Sequence, residues 1–197
     1  MSNNTIMQLI IISGSPATGK TTLATQLAKE LGYGFCSKDA LKERLFDRET
    51  VNTRRFLWYE TRAKAQFFSQ IQEAIQHDRS LIIESDFNKK DRERLRALLT
   101  KKVHVTEIYC YTKGFTSLVR FIRRNENGTR HRGHHDRHWY ASMFLYNVVG
   151  LTGRHWPYLP LRLTSSIHFV DTTHPSLIPI EAIVSYVRKN KTRQLQN

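Results

Sequence analysis

The chain has 197 residues, 40% hydrophobic and 24% charged, enough for one domain with a sizeable core. Lysine and arginine number 31 against 17 acids, a formal net charge of +14, which favours anionic partners, either a nucleic acid through counterion release or the phosphates of a small ligand. No apolar run approaches the ~18 to 20 residues of a membrane span, Leu9 to Ile12 is too short for a signal-peptide core, and Cys36 and Cys110 are too few for a disulfide framework, so a cytoplasmic protein with no membrane partner is expected.

In chain order, Leu9 to Ile12 is a continuous apolar run before Ser13 and Gly14, as expected of a buried parallel strand. Leu23, Leu27 and Leu31 then recur at helical spacing up to Gly32. Tyr33 to Cys36 reads as a second strand and Asp39 to Phe46 as a helix. A longer helix over Thr53 to His77 carries Phe56, Glu60, Ala63, Phe67, Ile71 and Ala74 on one stripe. Leu81 to Ile83 is a third strand, and Asn88 caps a helix over Asp91 to Leu99. Val103 to Tyr111 is a fourth strand, followed by a helix with Phe115, Leu118, Val119 and Ile122. Ile167 to Asp171 is the fifth, and Pro179 to Lys189 is a closing helix before a polar tail expected to fray from Asn190. This alternation predicts a single α/β domain over 1–197, three layers with a parallel five-stranded sheet between helices. Tyr146 to Ser166 has weak periodicity and is left without an assigned structure.

Gly14-Ser15-Pro16-Ala17-Thr18-Gly19-Lys20-Thr21 fits G-x-x-x-x-G-K-[ST] at every specified position, between a strand and a helix. This is the pattern of a phosphate-binding loop. Its glycines permit the tight turn, and the backbone N–H groups of Ser15, Ala17, Thr18 and Gly19 face phosphate oxygens. Lys20 reaches the β and γ phosphates, the Thr21 hydroxyl is placed for Mg²⁺, and the helix N-terminus with Thr22 points at the same anion. A nucleoside triphosphate with magnesium is the ligand expected.

Three further features bear on the chemistry. Asp39 follows the second strand, where strand ends line the ligand crevice, so its carboxylate can orient or deprotonate an attacking hydroxyl, or else cap the next helix. Lys42 and Arg44 lie close by to hold an acceptor. Glu84 and Asp86 end the third strand, and either can serve as the acid that helps to hold magnesium. Six arginines, Arg120, Arg123, Arg124, Arg130, Arg132 and Arg137, are opposed in that stretch only by Glu126 and Asp136. Asn125 to Gly133 has no apolar residue, so 123–138 reads as a lid that closes arginines, Arg124 and Arg130 foremost, over a transferring phosphoryl group.

Loop, post-strand acid, strand-three acid and arginine lid together resemble the P-loop kinases related to phage-type polynucleotide kinase, a group that includes zeta toxins and chloramphenicol phosphotransferase. The resemblance covers about Gln8 to Arg137. It implies that Asp39 is the general base and that the run Ser85-Asp86-Phe87-Asn88 favours Asp86 over Glu84 for the metal. It also implies that Asp171-Thr172-Thr173, after the last strand, lies where adenine is received and that ATP is the donor; Arg120 is a further candidate for nucleotide contact. In that group an arginine grips the acceptor phosphate three residues after the base; here Lys42 stands there, and Ala40 replaces a second acid. Lys42 gives charge without a bidentate fork, which weighs against a nucleic-acid acceptor.

The function expected is therefore ATP-dependent transfer of the γ-phosphoryl group to a hydroxyl of a small-molecule or nucleotide-like acceptor, anionic or otherwise hydroxyl-bearing. A 5′-hydroxyl polynucleotide kinase, a toxin acting on a nucleotide sugar, and a nucleic-acid-binding ATPase are the alternatives. His131, His134, His135 and His138 have spacings that suit zinc, but phosphate or substrate contact fits them better without a cysteine partner. Trp139, Tyr140, Phe144 and Tyr146 are expected to pack a helix.

Overall fold

The computed structural model describes residues 7–48, 56–99, 103–113, 115–134 and 159–194. Five strands, β1 (Met7–Gly14), β2 (Gly34–Ser37), β3 (Leu81–Glu84), β4 (Val103–Tyr111) and β5 (Ile167–Asp171), form one sheet in the order β2-β3-β1-β4-β5. Every pairing is parallel. The expected α/β architecture with five parallel strands is what forms.

Among the described residues there are six α-helices: α1 (Lys20–Leu31), α2 (Lys38–Arg48), α3 (Phe56–Gln76), α4 (Lys89–Leu98), α5 (Thr116–Glu126) and α6 (Ile180–Gln194). β1 is central and buried along its whole length, so alternate residues must satisfy opposite faces, and from Leu9 to Ile12 both sets are apolar. Leu9 and Ile11 join Ala63, Phe67 and Ile71 of α3 and Leu95 of α4. Ile10 and Ile12 join Leu23 and Leu27 of α1 and Ile183 and Val187 of α6. Each such fully buried side chain stabilises the fold by about 1.5–3 kcal/mol. The two cysteines are free and buried in β2 and β4; burial pushes the thiol of Cys36 up to about 11 and that of Cys110 to about 12.

Strand order reverses about β1. The chain leaves β1 for β2 on one side and later crosses back to β4 on the other, which opens a crevice at the carboxyl ends of the strands. Register then decides which side chains share it. Ile12 pairs with Glu84, so the phosphate loop after β1 and the acid at the end of β3 emerge side by side.

Several boundaries differ from the sequence reading. β2 ends at Ser37 and α2 begins at once, with Ser37 Oγ accepting from the Ala40 N–H at 3.5 Å. Ser37, not Asp39, therefore stands at the cap position. Asn88 does cap α4, in a reciprocal pair with Asp91. α5 continues through Arg123 and Arg124 to Glu126, so the charged stretch opens as helix. α6 runs on to Gln194 where fraying was expected, because no Gly or Pro interrupts it. Trp139, Tyr140, Phe144, Tyr146, His135, Asp136, Arg137 and His138 lie outside the described residues.

The segment from 159 is anchored by a buried acid. Glu107 of β4 is 1% exposed and accepts the backbone N–H groups of Arg162 at 2.9 Å, Leu163 at 2.7 Å and Thr164 at 3.1 Å. Glutamine there would turn an N–H₂ group toward backbone donors and lose the charge. Glu107→Gln is expected to cost about 2 kcal/mol and to lower Tm by roughly 4–8 °C, measured by thermal unfolding. An unchanged Tm would show that the anchor contributes nothing.

Candidate active site

The crevice holds a cavity of about 890 Å³, near the upper end of the roughly 300–1,000 Å³ typical of small-molecule sites. Its walls come from the start of α1, the starts of α2 and α3, the end of β3 and the inner face of α5.

The loop between β1 and α1 is fixed by sterics and by struts from the far edge of the sheet. Gly14 has φ +143°, and a Cβ there would lie 2.2 Å from the Cys110 carbonyl oxygen, so only glycine fits. Thr18 Oγ1 donates to the Ser15 carbonyl at 2.8 Å. Thr172 Oγ1, in turn, donates to the Thr18 carbonyl at 2.6 Å and to that of Tyr111 at 2.8 Å. Ala17 takes the left-handed conformation at φ 60° and packs against the Leu118 and Phe121 cluster of α5. Lys20 is 8% exposed; its Nζ donates to the Ser15 carbonyl at 2.9 Å and lies 4.0 Å from Glu84 Oε1. Gly19, Thr21 and Thr22 complete this wall.

Thr21 and Glu84 converge. The Thr21 hydroxyl donates to Glu84 Oε2 at 3.3 Å, and Ser37 Oγ donates to the same oxygen at 2.8 Å. A hydroxyl beside a carboxylate is a hard-oxygen donor set of the kind that suits magnesium. Burial raises the Glu84 carboxyl above its ordinary range, and the neighbouring Lys20 charge pulls it back. Asp86, by contrast, is held by Lys38, whose Nζ lies 2.6 Å from Oδ1. Burial alone would raise the Asp86 carboxyl, but the charge and hydrogen bond of Lys38 outweigh it and hold it low. The preference for Asp86 that the resemblance implied is thus not matched by this geometry, which sets Glu84 against Thr21 and gives Asp86 to a lysine.

On the opposite wall Asp39 lies in the first turn of α2 and faces Arg130, whose Nη2 is 3.7 Å from Oδ2. Lys42 is buried and reaches Glu60 of α3 at 3.1 Å. Lys38 bridges Glu60, at 2.9 Å, and Asp86. Arg44 stands on the exposed side of α2 and does not line the cavity; two residues along a helix from Lys42, it points nearly the opposite way. Thr172 braces the loop from outside the cavity, and Arg120, which lines it, donates to the carbonyls of Thr172 at 3.0 Å and Thr173 at 2.8 Å.

The turn after α5 docks on α2. Asp39, Glu43 and Asp47 recur every four residues along one face of that helix. Arg130 meets Asp39, His134 Nε2 lies 2.9 Å from Glu43, and His131 Nε2 lies 3.0 Å from Asp47. The His134 hydrogen bond lowers the Glu43 carboxyl below its usual range. A Cβ on Gly133 would meet Phe46 at 3.3 Å, so glycine lets this turn lie flat against α2. Arg123, Arg124 and Arg130 line the cavity, whereas Arg132 is exposed. His131 and His134, the described members of the histidine group, meet carboxylates, and no group of three or more metal-ligating side chains occurs among the described residues.

Lys38 and Glu60 are among the site residues that the sequence reading did not single out, with Ser37, Glu43 and Lys64. Glu60 left a trace, since a charge at an apolar phase of the α3 stripe asks for a buried partner. Lys38 left none beyond its place at a strand end.

Comparison with known proteins places the chain. A family model described as an AAA domain matches residues 9–144. A presumed kinase from Chloroflexus aurantiacus J-10-fl is similar at 34% identity and a TM-score of 0.82, with 94% of this chain and 98% of that one covered. A chain of the Pnkp1/Rnl/Hen1 RNA repair complex shares the fold at 14% identity and a TM-score of 0.53, over 82% of this chain and 50% of that one. Adenylate kinase 8 of Mus musculus is 34% identical over 77 residues, 39% of this chain and 16% of the mouse protein, so the match spans about a sixth of that relative.

Proposed function

We propose that this chain, which belongs to the AAA-domain family of P-loop kinases, transfers the γ-phosphoryl group of ATP to a hydroxyl of a small-molecule acceptor. The observation that carries the reading is convergence. Lys20 and Thr21 on one wall, Asp39 on the other and the arginines of α5 between them share one cavity.

In this reading the loop amides and the N-terminus of α1 bind the phosphates, and Lys20 neutralises charge that builds up on the transferring group. Thr21 and Glu84 would hold Mg²⁺, which would offset the negative charge of the triphosphate. Asp39 accepts the proton of the acceptor hydroxyl as its oxygen bonds to the γ phosphorus; the bond from that phosphorus to the β–γ bridging oxygen breaks, and ADP leaves. Arg124 and Arg130, on or just after α5, form the lid and screen the phosphoryl group from water. Arg120, braced against the carbonyls after β5, borders the base of the nucleotide. A cytoplasmic location belongs to the same proposal; among the described residues no helix is long and apolar enough to cross a membrane.

The net charge of +14 supports a second reading, a 5′-hydroxyl polynucleotide kinase or an ATPase that grips nucleic acid. One experiment separates these. With γ-labelled ATP and Mg²⁺, label is expected in a small metabolite from a mixed pool and not in 5′-hydroxyl oligonucleotides. Labelled oligonucleotide would favour the polynucleotide kinase. Labelled phosphate alone, with oligonucleotide affinity that falls steeply as salt rises, would favour the ATPase.

A further inference from the structure

The two halves of the cavity differ in how their charges are disposed. Among the described residues, Lys20, Arg120, Arg123 and Arg124 face the cavity on the donor side, with the Glu84 carboxylate beside them. That surplus of positive charge suits a triphosphate.

The acceptor side has no such surplus among the described residues. Each cation lining it already contacts a carboxylate: Lys38 contacts Asp86 at 2.6 Å and Glu60 at 2.9 Å, and Lys42 contacts Glu60 at 3.1 Å. Lys64 contacts Asp91 at 2.9 Å, and Arg130 lies 3.7 Å from Asp39. The members of these pairs are also unequally exposed. The Lys38 and Lys42 side chains are 9% and 5% exposed, while those of Glu60, Asp86 and Asp39 are 28%, 38% and 43% exposed. Lys38 and Lys42 thus lie behind their carboxylates, so that Glu60, Asp86 and Asp39 front the space an acceptor enters; at Lys64 the order is reversed, 29% exposed against 7% for Asp91. Burial alone would raise the Glu60 carboxyl, but Lys38 and Lys42 hold it below its usual range, so it is charged at neutral pH.

From this arrangement we infer that the acceptor is a hydroxyl-rich small molecule without negative charge, selected by Glu60 between Lys38 and Lys42. The inference rests on the transfer reading above and narrows its acceptor. An anion entering here would meet carboxylates first, and drawing a lysine toward it would weaken that lysine's ion pair with Glu60 or Asp86. Hydroxyl groups disturb nothing: each O–H donates to a carboxylate, and its oxygen accepts from an ammonium group behind. Glu60 acts as a specificity residue; it touches the acceptor and takes no part in the bond exchange.

The test uses matched acceptors: an uncharged polyol or sugar, the corresponding sugar acid, and the corresponding sugar phosphate. Each is offered with γ-labelled ATP and Mg²⁺ to the full chain. Wild type is expected to favour the uncharged member by at least about tenfold in kcat/KM, since like-charge juxtaposition is costly. Glu60→Gln removes a carboxylate and should shift that preference toward the anions, mainly through KM. Lys42→Met removes a cation and should shift it the other way. A folding defect would lower all activities together in both variants and would not produce opposite shifts. Equal or preferred use of the anionic acceptors by wild type overturns the inference and leaves phosphoryl transfer standing, as would parallel shifts in the two variants. No transfer to any of them, or to any other hydroxyl in a metabolite pool, overturns the transfer reading as well.

Discussion

Replacing Lys20 by alanine is expected to lower kcat for phosphoryl transfer by at least roughly 10²–10³-fold, the loss typical of removing one preorganised group aimed at transition-state charge. The geometry of Lys20 supports that proposed role. Its ammonium group is buried, donates to the Ser15 carbonyl and lies 4.0 Å from Glu84. Its place at the start of α1 aims it at the anion site. The variant also leaves the Glu84 carboxylate without its nearest opposing charge; burial already raises that carboxyl, so it takes up a proton more readily. The fold itself is expected to persist, because the packing of Leu23 and Leu27 does not depend on Lys20. The measurement is kcat with saturating ATP, with circular dichroism to show that secondary structure is kept. Near wild-type kcat in a folded Lys20→Ala protein would remove the loop from the chemistry.

Asp39→Asn is the second large effect expected, a fall of about 10²–10⁴-fold in kcat, the range that general-base catalysis contributes. Asparagine keeps the shape and the contact distance to Arg130 but cannot take a proton. Because Asp39 stands across the cavity from the phosphate loop, KM for ATP should stay nearly unchanged while kcat falls. That split separates loss of the base from loss of the nucleotide. If the asparagine variant transfers phosphate as fast as wild type, Asp39 is no base, and its contact with Arg130 at 3.7 Å is only the docking point of the turn.

What the sequence made legible follows from how local each feature is. The phosphate loop depends on residues within eight positions of one another, and its glycine and lysine chemistry has few alternative meanings. The strands of the sheet were readable because buried parallel strands are apolar on both faces. The partner of Thr21 was not readable. It depends on the pairing of Ile12 with Glu84, a register between segments some 70 residues apart, and the resemblance pointed to Asp86 instead. The docking of the turn after α5 was hidden for the same reason: the contacts of His131 with Asp47 and of His134 with Glu43 join residues 84 and 91 apart. Glu60 lies between these cases. Its helical phase was visible, but its partners Lys38 and Lys42 come from another helix.

The hydroxyl of Thr172 has a consequence for how the protein is made. It is bonded to the carbonyl of Thr18, 154 residues earlier in the chain, from the end of the strand at the sheet's edge. A ribosome releases the phosphate loop long before β5, so the nascent chain holds this loop without its strut until synthesis has passed Thr172 and cleared the exit tunnel. If the loop needs this strut to hold its shape, nucleotide binding is expected to arise late. Bound ATP, which stabilises only the state that binds it, would act on the finished sheet and not on the fragments that precede it.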